Sequence, residues 1–308
     1  MRTRWVIAGT LLLIAGCVGV FIFLVSTPGL RLMSSKNPPR STEAFAVEKS
    51  AFGGNGSSSV SKDDPVNPAE QSEEKIVSGP CRPVFLEEPE AFRLARQRMV
   101  QFQLQNRDII DADVLYVMGR IPRHEFVPEN VIHEAYDDHP LPIGHGQTIS
   151  QPYIVALMTQ LAKPRKESRA LDIGTGSGYQ AAVLAELCRE VYSIEIIEPL
   201  AKSAAERLKR LGYTNVVVRA GDGYRGWPEK APFDVIIVAA APDHVPKPLV
   251  DQLALGGRLV IPVGRGQQDL LVIEKQPDGS IRQTSVAPVL FVPMTGEAQQ
   301  LGKSSSNP

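Results

Sequence analysis

The spacing of apolar positions divides the chain into stretches of different character. Trp5 to Val25 is an almost unbroken apolar run without a charge, long enough to span a bilayer as a helix. From about Ser34 to Gly79 the pattern disappears into Ser, Gly, Pro, Asn and charged residues, including Gly53-Gly-Asn-Gly-Ser-Ser-Ser59. Such a segment cannot bury enough surface to offset its ordering entropy and reads as a disordered tether. Patterning returns near Pro83. Phe92, Ala95, Met99, Phe102 and Leu104 recur at roughly helical spacing, and a second helix is predicted over Ala112 to Met118. The prolines and glycines between Ile121 and Tyr153 rule out a long helix and predict an extended loop, with Pro152 near the start of a helix reaching about Leu161.

Beyond that loop the period changes. Arg169 to Asp172 is a short strand, Gln180 to Cys188 a helix rich in Ala and Leu, and Val191 to Glu195 a second strand. Leu200, Ala204, Leu208 and Leu211 mark one face of the next helix. Val216 to Arg219 and Phe233 to Val238 are β-branched strands, Leu249 to Leu255 looks helical, and Arg258 to Val263 is a fifth strand. Leu270 to Glu274 and Ile281 to Phe291 make a terminal antiparallel pair around Pro277-Asp-Gly-Ser280. Strand and helix alternate, which predicts an α/β fold: a doubly wound, largely parallel sheet behind an N-terminal helical preface. The resulting division is a membrane segment or signal-like sequence over residues 1–33, the tether over 34–82, a globular domain over 83–295 and a disordered tail over 296–308.

Composition narrows the possible partners. A net charge of -1, with basic residues spread along the chain, gives no nucleic-acid footprint. Cys17, Cys81 and Cys188 have no C-x-x-C spacing, and none of the five histidines forms an H-x-x-x-H pair, so no metal site is expected. The apolar run is either an uncleaved anchor or an export signal. Ile14-Ala15-Gly16-Cys17 resembles a lipoprotein cleavage box, yet the run continues past Cys17. Arg31, Lys36 and Arg40 after it slightly outnumber Arg2 and Arg4 before it, which favours the bulk of the chain inside.

Candidate chemistry centres on Leu171-Asp-Ile-Gly-Thr-Gly-Ser-Gly-Tyr179. Glycines at 174, 176 and 178 let the backbone approach a ligand closely. Their G-x-G-x-G spacing departs from the dinucleotide fingerprint and favours a nucleoside without phosphates; S-adenosylmethionine fits, its amine at the acidic strand end and its carboxylate on the helix-end NH groups. A tight turn without a ligand would look the same. In such a sheet ligands lie at the carboxyl ends of strands. Asp172, Glu195 and Asp222 fall at three successive ends, placed for the amine, the ribose hydroxyls and the adenine amino group respectively, although each alone also suits a turn or cap. Ser150, just before the helix at Pro152, is a candidate N-cap.

Several segments in this order resemble the bacterial protein-L-isoaspartate O-methyltransferases: Leu141-Pro-Ile-Gly-His-Gly-Gln-Thr-Ile-Ser-Gln-Pro-Tyr153, the glycine loop, Gly221-Asp-Gly223, Phe233-Asp-Val-Ile-Ile-Val-Ala-Ala-Ala-Pro242 and Gly256-Gly-Arg-Leu-Val-Ile-Pro-Val-Gly264. The likeness runs from about Ala91 to Thr295. His145 and Asp108 depart from the family's usual residues, neither at a motif position. The resemblance implies an S-adenosylmethionine-dependent methyltransferase fold over 83–295 and methyl transfer to the α-carboxyl group of L-isoaspartyl residues in damaged proteins. It implies Ser150 as the residue that orients the carboxylate, with Thr148, Ile149 and Gln151 beside the substrate. Asp172, Gly174, Thr175, Gly176, Gly178, Glu195, Asp222 and Gly223 would surround the cofactor. A monomeric, cytoplasmic catalytic domain tethered to the inner membrane through residues 5–25 is expected, with lipoprotein export as the alternative. Rival readings are a methyltransferase of small carboxylic acids, an NAD-dependent oxidoreductase and a nucleoside-binding protein without turnover.

Overall fold

The computed structural model describes residues 88–304, so the expectations for residues 1–33 and 34–82 lie outside the described residues. Two helices open the described part, α1 (Glu90–Arg98), continued by a π-helical turn over Met99–Gln105, and α2 (Ala112–Arg120). Asp111 caps α2 by accepting the amide hydrogens of Asp113 and Val114. The predicted extended loop is instead two 3-10 turns and a two-stranded hairpin, β1 (Leu141–Gly144) and β2 (Gln147–Ile149). Gly144, His145 and Gly146 all take positive φ, which closes the turn and lets Leu141 pair with Ile149. α3 (Pro152–Ala162) follows, with proline in its first turn, where the missing N–H costs nothing.

Seven strands form the main sheet. β3 (Arg169–Ile173), β4 (Glu190–Glu195), β5 (Val216–Ala220) and β6 (Phe233–Val238) alternate with α4 (Tyr179–Leu187) and α5 (Glu198–Arg210). A short α6 (Lys247–Asp251) leads into β7 (Leu253–Val263), β8 (Gln268–Lys275) and β9 (Ile281–Val289). The strand order is β5-β4-β3-β6-β7-β8-β9, parallel through β7 and antiparallel beyond it. The order reverses between β3 and β6, and the crevice at that switch point is where an open α/β sheet takes its ligand. Residues 170–173 of β3 are buried, as a central strand covered on both faces requires. Leu200, Ala201, Ala204 and Leu208 form the buried stripe of α5, close to the face read from sequence.

Two boundaries are corrected. The helix expected to Leu255 ends at Asp251, because Leu253 already pairs with Phe233 and the strand then bulges over 254–257. A Cβ at Gly257 would sit 2.9 Å from two carbonyl oxygens, so glycine permits that bulge. The tail expected to be disordered forms a helix, α7 (Glu297–Ser304). Its first turn is tied down from outside: Asp222 accepts the Glu297 amide hydrogen, Arg225 pairs with the Glu297 carboxylate, and Ala298 is buried in the same cluster as Met294.

Candidate active site

The cleft at the switch point is walled by the glycine loop, the end of β4, the Asp222 turn, Ala239 and Ala240 after β6, and the β2 segment from Gln147 to Ser150. The conformation of the loop depends on its glycines. Gly174 and Gly176 have φ of +89° and +53°, and the Gly174 amide donates to the Ile194 carbonyl at 2.9 Å, which locks the turn onto β4. Gly178 has a different task. It does not border the cleft; a Cβ there would come within 3.3 Å of Leu208, so it lets α5 pack closely against the loop.

Behind the wall runs a hydrogen-bond chain. Thr175 Oγ1 lies 2.5 Å from Ser193 Oγ, which donates to Asp172 Oδ2 at 2.7 Å. Asp172 is fully buried, does not border the cleft, and has one oxygen without a partner. Burial pushes its carboxyl up from 3.8 to about 7, opposed by the Ser193 hydrogen bond. Asp172 therefore anchors the loop from behind.

Glu195 and Asp222 do border the cleft. Both carboxylate oxygens of Glu195 are oriented by the backbone, Oε2 by the Gly176 amide at 2.8 Å and Oε1 by the Ile197 amide at 3.0 Å. Each oxygen retains acceptor capacity for a further donor. Asp222 accepts the Tyr224 amide through Oδ1 and the Glu297 amide through Oδ2, so it links the cleft to α7. Gly223 packs on Ile173 with no room for a Cβ.

Thr148, Ile149 and Ser150 line the opposite side. Ser150 is not the helix cap: Gln151 occupies that position, without a side-chain cap bond. Among the described residues the Ser150 hydroxyl has no hydrogen-bond partner, while its carbonyl accepts from Arg123 Nη2 at 2.7 Å. Gln151 turns away from the cleft and donates to the Asp138 carbonyl at 2.9 Å. Of the residues expected at the site, Thr148, Ile149, Ser150, Gly174, Thr175, Gly176, Glu195, Asp222 and Gly223 share one cleft; Gln151, Asp172 and Gly178 stand outside it. The cleft also includes Val292 to Thr295, which the sequence reading missed. Backbone bonds between Ala241 and both Val292 and Met294 hold that segment in place, and neither its spacing nor its composition signals the role. The side chains of Glu134, Asp137 and His139 come within metal-binding reach of each other, but they are exposed and do not line the cleft.

A doubly wound sheet with a glycine loop after its central strand, an acidic residue ending the next, and an apolar-walled cleft at the switch point defines the S-adenosylmethionine-dependent methyltransferase type of fold. Within that class the chain belongs to the protein-L-isoaspartate (D-aspartate) O-methyltransferase family, whose sequence model matches residues 95–299. It is 58% identical to protein-L-isoaspartate O-methyltransferase 2 of Polaromonas over 61% of this chain and 90% of that one. It is 60% identical to the Opitutus terrae enzyme of the same name over 66% of this chain and 87% of its relative. A Plasmodium falciparum chain described as a protein-L-isoaspartate O-methyltransferase, solved in complex with S-adenosyl-L-homocysteine, superposes with a TM-score of 0.57 at 29% identity, over 65% of this chain and 98% of that one.

Proposed function

We propose that this protein transfers the methyl group of S-adenosylmethionine to the α-carboxyl group of L-isoaspartyl residues in damaged proteins and peptides, and that Ser150 orients the accepting carboxylate. The observation that carries the reading is that Ser150, whose hydroxyl has no hydrogen-bond partner among the described residues, and the glycine loop line one cleft. The residues suit the cofactor: Gly174 and Gly176 put no side chain between the loop and the cleft, and Glu195 offers oriented acceptors for ribose hydroxyls. When bound, the cofactor supplies a methyl group activated by a sulfonium.

The chain's own contribution is placement. An α-carboxyl group of pKa about 3.3 to 3.7 is already ionised near neutrality, so no base is needed, and the cleft offers none beside Ser150. With the cofactor held by the glycine loop and Glu195, one carboxylate oxygen would take up its sulfonium methyl, leaving a methyl ester and a thioether. A hydrogen bond from the Ser150 hydroxyl to the other oxygen holds the attack in line. The ester carries a better leaving group, methoxide, than the free carboxylate does. The backbone nitrogen of the following residue then closes a succinimide with loss of methanol, and hydrolysis of the ring returns part of the residue to normal aspartate.

Two measurements separate this from its rivals. Calorimetric titration should show binding of S-adenosylhomocysteine and none of NAD, and turnover should be high on an isoaspartyl peptide and negligible on a small free carboxylic acid. Comparable turnover on the small acid would transfer the assignment to a small-molecule methyltransferase.

The site of action is inferred to be the cytoplasm, where S-adenosylmethionine is made, with residues 5–25 as a tether to the inner membrane. Among the described residues no helix is long and apolar enough to cross a membrane. A reporter fused after Pro308 that is active only outside the inner membrane would overturn this placement.

A further inference from the structure

Arg123 lies in Ile121-Pro-Arg-His-Glu-Phe-Val-Pro128, a segment the reaction does not otherwise use. Its guanidinium is fully buried, with Nε donating to the Ala135 carbonyl and Nη2 to the Ser150 carbonyl, both at 2.7 Å. The ring of Tyr179 lies 4.8 Å away, and Nη1 has no partner. Among the described residues no carboxylate pairs with it, whereas Arg96, also buried, is paired with Glu88. Burying a cation without a counter-ion is costly, and an apolar side chain of similar size would fill the space more favourably. Desolvation lowers the guanidinium to about 10, which leaves it charged at neutral pH. Ser150 and Tyr179 are both wall residues of the cleft, so the charge sits directly behind the wall where an anionic substrate group would arrive.

We propose that Arg123 is a positioning residue for carboxylate recognition: it fixes the Ser150 segment through its carbonyl and supplies the buried positive charge that draws the isoaspartyl α-carboxylate. The inference rests on the reading that Ser150 receives that carboxylate. The two carbonyl bonds pin Ala135, before the β1–β2 hairpin, to Ser150, after it, so the hairpin is held at both ends by the same fork. The substrate completes the charge pair that the protein leaves open.

The test uses the full chain loaded with S-adenosylhomocysteine and two probes, an isoaspartyl peptide and the same peptide bearing an α-carboxamide in place of the α-carboxylate. Wild type should prefer the carboxylate by about tenfold or more, as a charge-assisted site does. Arg123→Met should shrink that preference to within about twofold, because a neutral side chain no longer distinguishes the probes. Arg123→Lys, which keeps the charge and loses the fork, should keep the preference while binding both peptides more weakly. Equal weakening of both probes in Arg123→Met would reduce Arg123 to a structural staple and overturn the proposal. Loss of the preference in Arg123→Lys would overturn it too, and that variant decides the matter should Arg123→Met fail to fold. S-adenosylhomocysteine affinity should stay unchanged in both variants. A wild type without any preference would instead sink the substrate assignment, and this proposal with it.

Discussion

Ser150 carries the sharpest expectation at the scale of single residues. With Gln151 in the cap position, Ser150→Ala should leave the melting temperature nearly unchanged. Its kcat on an isoaspartyl peptide should nevertheless fall by about ten- to a hundredfold, the effect of one positioned hydrogen bond lost in the transition state. Wild-type kcat in the variant would leave orientation to backbone groups. Glu195→Gln should weaken cofactor binding by about 1 to 3 kcal/mol. Both carboxylate oxygens accept backbone amide hydrogens, so either rotamer of the glutamine turns an NH2 group against a donor. Equal affinity by calorimetry would remove Glu195 from the site. Asp172 gives a pH signature. Its native carboxyl is held up at about 7 from 3.8, so between those values the folded chain retains a proton that the unfolded chain releases. Its contribution to stability is therefore most favourable at the acid end of that window and declines as pH rises through it. Asp172→Asn should remove that decline in denaturant titrations; an unchanged pH slope would contradict the burial argument. Sequence placed Asp172, Glu195 and Asp222 at strand ends; Glu195 closes β4, whereas Asp172 lies just inside the end of β3 and Asp222 in the turn after β5. It had no means to see that the Asp172 side chain points back to Ser193, because that contact joins strands 21 residues apart in sequence.

Regular elements were legible where burial imposed a period. α5 shows it plainly, and β3 and β6 read as short apolar strands because both faces are covered. The hairpin of residues 141–149 was not legible, since its turn puts a histidine at positive φ and its strands are too short for alternation to register. α7 was not legible either, because what fixes it is tertiary: the Asp222 carboxylate at its first turn and the burial of Ala298. The structure makes that helix part of the cleft wall's support. A chain ending at Gly296 should keep its sheet and most of its thermal stability, but its cofactor affinity should fall several-fold, as Asp222 loses the Glu297 amide and Met294 loses its neighbour. Calorimetry with S-adenosylhomocysteine reads this directly, and an unchanged affinity would detach α7 from the site.

For the whole molecule, the composition break near Pro83 and the family match from residue 95 both place the catalytic unit in the later part of the chain. A chain beginning at residue 83 should fold and turn over like the full protein, since it retains the Glu88–Arg96 ion pair that fastens the start of α1. Aggregation or loss of most turnover in that chain would move the boundary toward the N-terminus. The doubly wound sheet was readable from alternation alone, and its glycine loop pointed to a nucleoside; the substrate side was readable only through the resemblance carried by Gln147-Thr-Ile-Ser-Gln-Pro152. These two sides meet in one cleft, where an isoaspartyl carboxylate would be methylated. The measurement that tests it most directly is transfer of labelled methyl from S-adenosylmethionine to an isoaspartyl peptide and to the matching aspartyl peptide under the same conditions. Label should appear as a base-labile ester on the isoaspartyl peptide and stay at background on its aspartyl twin. Equal labelling of the two, or none on either by a protein that binds the cofactor, would contradict the account.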